Sequence, residues 1–225
     1  MGKLDLAQRN NIMRAAVMGA NDGILSISGI VIGVAGATAN TFAILIAGFG
    51  GALAGTVSMA MGEYVSVHSQ NDAQIRAEQE QAHALATRYQ QEFDFVADRY
   101  EKLGIEPALA NQATQEMMDQ DALGTTVRER HGFTLHHEVS AMGAAVASML
   151  SFPLGSVLPM LSIWLLLPKW RIQGTAIAVV MALAITGYTA AQFSGVDRWK
   201  GTLRNVVAGM FTMLVTFLIG RLMGR

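Results

Sequence analysis

The chain has 225 residues, 52% of them hydrophobic and only 15% charged, against roughly a quarter charged in an average soluble domain. The net formal charge of −1 is uninformative, but no basic block exists of the kind that tracks a phosphate backbone, so nucleic acid is not an expected partner. There is no cysteine, which excludes disulfides and thiolate metal sites.

Fourteen methionines are many for this length, and serve either as flexible core filler or as soft thioether ligands. The N-terminus, MGKLDLAQRNNIMRAAVMGANDG, reads as retained, because its first apolar run continues into a full span with no cleavage site behind a short core. A membrane span needs about 20 mostly apolar residues. Ala15 to Ala39 supplies the first, with Asp22 its one ionisable group, and Phe42 to Met61 the second, closed by Glu63. Only Asn40 and Thr41 or so join them, which predicts an antiparallel hairpin.

Residues 66–138 differ in kind. They carry 13 acidic and 6 basic groups, a net of −7, and form a soluble insert. Leu85, Tyr89, Phe93, Val96, Tyr100 and Leu103 recur at helical spacing and predict one apolar helix face. No Gly or Pro interrupts Glu63 to Glu101, so the second span is expected to continue into this helix. Gly104 is a stop, Glu106-Pro107 opens the next helix, and Leu109, Ala113, Met117 and Asp121 share a side of it. Thr126 to Glu129 has capping-box spacing. Ala141 to Leu167 is the third span, tilted or kinked at Pro153 and Pro159; Gly174 to Ser194 is the fourth and Val206 to Met223 the fifth.

The basic residues orient these spans. With the N-terminus in the cytoplasm, 12 basic residues lie inside and 4 outside, or 6 against 4 without the insert. The reading is an all-α polytopic membrane protein: 1–65 with spans one and two, a cytosolic acidic helical domain at 66–138, and 139–225 with spans three to five.

Candidate chemistry begins with Asp22. An aspartate at mid-helix in lipid costs about 2.5–3.5 kcal/mol, so it is expected to face protein, a cavity or an ion path. The alternative is an interfacial aspartate capping a broken helix, since Asn21-Asp22-Gly23 is good turn chemistry. Met59 and Glu63 are four apart and share a helix face, and a thioether beside a carboxylate suits a borderline divalent ion such as Fe²⁺. Gly29-x-x-x-Gly33 and Gly51-x-x-x-Gly55 fit close helix approach, within a chain or across a dimer. In the insert, Glu80 and His83 form one Glu-x-x-His pair, whereas a ferritin-like di-iron site needs two. Glu92, Met117, Met118 and Asp121 could complete a looser oxygen and sulfur site. His136-His137-Glu138 reads as interfacial and solvated.

The stretches GANDGILSISGIVIGVAG, AGTVSMAMGEYVSVHSQND, EMMDQDAL and SFPLGSVLPML together resemble the vacuolar iron transporter family, including its bacterial and nodulin-like members. The resemblance runs from about Arg14 to the C-terminus. It implies five transmembrane helices and a cytosolic helical domain. It implies a homodimer with its ion path at the interface, and export of cytosolic Fe²⁺, and Mn²⁺ in some members, in exchange for protons. On it, Asp22, Met59 and Glu63 match the path, and Met117, Met118 and Asp121 match the cytosolic metal-binding domain, with Glu80, His83 and Glu92 near that domain's first-helix glutamates. Where some members carry a glutamate early in the second helix, this chain has Gly51. The expectation is a transporter without a prosthetic group, not an enzyme, in a bacterial plasma membrane, with a vacuolar membrane as the alternative. Its rivals are a membrane-bound iron oxidase and a non-transporting metal sensor or assembly protein.

Overall fold

The computed structural model describes residues 6–135 and 139–224. All six elements are helices: α1 (Leu6–Ala37), α2 (Thr41–Lys102), α3 (Pro107–His131), α4 (Ala141–Leu165), α5 (Arg171–Phe193) and α6 (Arg198–Met223). Five of them, all but α3, are long and apolar enough to cross a membrane. The chain divides into two compact units, Met1–Val65 with Ser140–Arg225, and Ser66–Val139.

In the first unit α1 is central and packs against α4, α5 and α6. Its glycines set the closeness. A Cβ at Gly23 would strike the carbonyl oxygen of Phe152 in α4, and one at Gly155 would strike that of Ala20. Gly29 and Gly33 lie against Thr212 and Thr216 of α6, and Gly220 of α6 meets the carbonyl of Gly33. The first small-residue motif is thus used within the chain. Gly51 lies against Ile30 and Gly55 against Phe152, so the second is too. Between lipid-facing helices hydrocarbon burial drives little, and close backbone packing supplies the attraction instead. Ile24, Ile27, Val31, Phe152, Val179 and Leu183 fill the core.

The ends are locally determined. Asn40 Oδ1 accepts from the Ala43 N–H at 3.2 Å and closes the α1–α2 turn. Ser140 Oγ accepts from Gly143 N–H and caps α4, and Asp197 Oδ1 accepts from Trp199 and Lys200 N–H and caps α6. α4 runs helical through both Pro153 and Pro159. On α2, Phe42, Phe49, Leu53, Val57 and Met61 are 55% to 72% exposed, a stripe that suits lipid or another helix rather than water.

In the Ser66–Val139 unit two helix breaks fall where no glycine or proline marks them. α2 is non-helical at Arg88 (φ −149°, ψ 46°) and α3 at Asp121 (φ −155°, ψ 86°). The break at Arg88 splits the predicted apolar face. Before it, Gln81 and Ala84 are buried; after it, Glu92, Val96 and Ala97 are, while Tyr89 and Leu103 are exposed. The capping box expected at Thr126–Glu129 does not form. The helix restarts earlier: Asp121 Oδ1 accepts from the Gly124 N–H at 2.8 Å, the contact of an N-cap with its third residue. Thr126 Oγ1 instead donates back to the Ala122 carbonyl. Gly132, at φ 77°, then ends α3 in the left-handed conformation.

Candidate metal path

Asp22 lies near the middle of α1, which passes unbroken through Asn21-Asp22-Gly23. No cap is needed there, which removes the broken-helix reading. The carboxylate is partly buried, and Oδ1 accepts a hydrogen bond from Ser26 Oγ at 2.9 Å, one turn on. One neutral donor leaves most of its lone pairs open to a cation.

Glu63 is the second candidate carboxylate. It is 7% exposed, and its Oε2 pairs with Arg14 Nη2 at 3.1 Å. This contact joins residues 49 apart, and no local pattern signalled Arg14 as more than a basic residue outside a span. Met59, one turn before Glu63, is half-buried and packs against the apolar core. Its thioether therefore borders the interior rather than only lipid.

Asn21, adjacent to Asp22, belongs to a separate polar knot. Its Oδ1 accepts from Asn205 Nδ2 at 2.7 Å and from Thr186 Oγ1 at 3.4 Å, tying α1 to α6 and α5. Sequence spacing gave no hint of this, because its three members come from three distant helices.

The candidate residues of the Ser66–Val139 unit are occupied differently. Glu92, nearly buried, receives Arg130 at 2.8 and 3.1 Å and Gln81 at 2.8 Å, with Arg88 at 3.9 Å. Glu80 pairs with Arg76 at 2.9 Å on the surface, and His83 is exposed. Met117 Sδ accepts from Tyr100 and Arg128, each at 3.8 Å. Met118 is packed in the core at 3% exposure, and Asp121 is the helix cap. Among the described residues no three His, Asp or Glu side chains gather as a metal-holding group. His136-His137-Glu138 lies outside the described residues.

A VIT family model matches residues 13–221. Relatives include vacuolar iron transporter homolog 2 of Arabidopsis thaliana, 30% identical over 98% of this chain and 88% of its own length. Vacuolar iron transporter homolog 5 of Oryza sativa subsp. japonica is 31% identical over 98% of this chain and 84% of its own. The vacuolar iron transporter of Acanthamoeba castellanii is 29% identical over 92% of this chain and 77% of its own. With a match over nearly its full length, the chain belongs to the VIT family, whose members are transporters and not enzymes.

Proposed function

We propose that the protein exports cytosolic Fe²⁺, Mn²⁺ or both across a membrane in exchange for protons, along a path that includes Asp22, Met59 and Glu63. The observation that carries this reading is the Asp22 carboxylate, set in an unbroken apolar helix with Ser26 as its hydrogen-bond donor. A carboxylate in a low-dielectric path binds a divalent cation and takes a proton when the cation leaves, which couples the two movements. Iron as cargo is supported by the relatives, which are named as vacuolar iron transporters or their homologues. The Met59 thioether, a poor ligand for hard ions, favours Fe²⁺ or Mn²⁺ over Mg²⁺ and Ca²⁺.

In this reading Arg14 holds Glu63 while no metal is present, and an arriving cation displaces it. The N-terminus and the Ser66–Val139 unit face the cytoplasm, in keeping with the bias of basic residues. Two chains pair through the exposed apolar stripe of α2. In the Ser66–Val139 unit, the exposed Glu80 and His83 are the first contacts for metal, and Met117 joins once Tyr100 and Arg128 release its sulfur. Recruiting Glu92, Met118 or Asp121 requires displacing Arg130, opening a packed core or undoing a cap. The test is metal-driven proton flux in sealed proteoliposomes with a pH-sensitive dye inside. Fe²⁺ or Mn²⁺ added to one side should move protons the other way; metal entry without any proton movement would remove the exchange, and no metal movement would remove the transport of these ions.

A further inference from the structure

Two cavities lie at the end of the first unit where α1 begins, one of about 610 Å³ between α1, α5 and α6 and one of about 670 Å³ between α1 and the end of α5. Val17, Met18, Ala190 and Ser194 line both, so they form one continuous recess. Ligand sites commonly span about 300–1,000 Å³. The inner wall is the Asn21–Thr186–Asn205 knot, which satisfies its own hydrogen bonds.

The mouth is cationic. Arg9 and Arg14 come from the start of α1, and Lys200 and Arg204 from the start of α6. Arg14 is committed to Glu63. Asp197, the acidic residue lining the recess, spends Oδ1 on capping α6. Among the described residues, Arg9, Lys200 and Arg204 form no ion pair. Below them the walls are apolar, as at Val17, Leu25 and Ala208. Metal cations are repelled by such a mouth, and a small soluble anion has no use for the apolar walls. An amphiphile with an anionic head suits both parts, and basic pockets between membrane helices take such headgroups.

We propose that this recess binds one anionic phospholipid, its phosphate among Arg9, Lys200 and Arg204 and its first acyl carbons on the apolar walls. The site is independent of which ion the protein carries. The experiment is native mass spectrometry of the full chain released from nanodiscs of equal phosphatidylglycerol and phosphatidylcholine. One phosphatidylglycerol should remain per chain in preference to phosphatidylcholine. Arg9→Gln, Lys200→Gln and Arg204→Gln together should weaken retention about a hundredfold, at roughly fivefold per cation. Ala190→Phe, which fills the shared wall without changing charge, should also release the lipid and decides the matter if the triple variant does not fold. Lys169→Gln, in the α4–α5 connection at the other end of the spans, should retain it. Equal retention of both lipids, retention by the folded triple variant or by Ala190→Phe, or displacement by excess inorganic phosphate would overturn the proposal.

Discussion

Replacing Arg14 with glutamine should tighten metal binding at Glu63 while loosening the fold slightly. The pair is 3.1 Å apart, with Glu63 7% and Arg14 49% exposed. Removing one partner of a buried pair costs about 3–5 kcal/mol, and an exposed pair is worth only about 0.2–1 kcal/mol. A buried carboxylate with a half-exposed guanidinium falls between, at about 1–2 kcal/mol. If the metal competes with Arg14 for Glu63, that energy returns as affinity, roughly a five- to thirtyfold lower apparent Kd. The assay is Mn²⁺ titration of the full chain in detergent, followed by the loss of free-ion electron paramagnetic resonance signal. Arg14→Lys keeps the charge and should stay near wild type, and Arg14→Gln with Glu63→Gln should lose the gain. A folded Arg14→Gln protein with unchanged or weaker affinity would refute the competition and leave the pair a structural contact.

Other substitutions probe the packing. Gly23→Ala should cost about 1–3 kcal/mol by overpacking, since its Cβ meets the Phe152 backbone, which cannot swing aside as a side chain does. Thermal melts of the variant and the wild type measure this cost. Arg130→Met leaves the buried Glu92 with only Gln81 and the more distant Arg88 and removes a guanidinium 3.9 Å above the Phe95 ring, and should lower stability by about 2–3 kcal/mol in denaturant titration. Met118→Ala should cost about 2–5 kcal/mol as a core truncation, measured on the metal-free chain.

The all-helical architecture with five spans was legible because lipid demands long apolar runs, and Asn40 and Glu106-Pro107 carry their own turn and start signals. The breaks at Arg88 and Asp121 were not. An aspartate on an acidic helix offers its oxygens to a metal or to a backbone N–H alike, and spacing alone does not announce that the Gly124 N–H takes Oδ1 of Asp121. The spacing of Gly29 and Gly33 announced close approach but not its partner, which is α6 of the same chain. Asp22 was conspicuous as a lone charge among apolar residues. Glu63 was visible, but its burial under Arg14 depends on α1 and α2 lying side by side, which no local spacing encodes.

The most direct test of the central claim is metal flux into sealed proteoliposomes for wild type and Asp22→Asn, with Fe²⁺ and Mn²⁺ and a metal-quenched dye inside. The neutral amide preserves size and the Ser26 contact, so the fold should persist. Wild type should take up metal and the variant should not. Equal uptake by both would contradict the role given to Asp22 in the path.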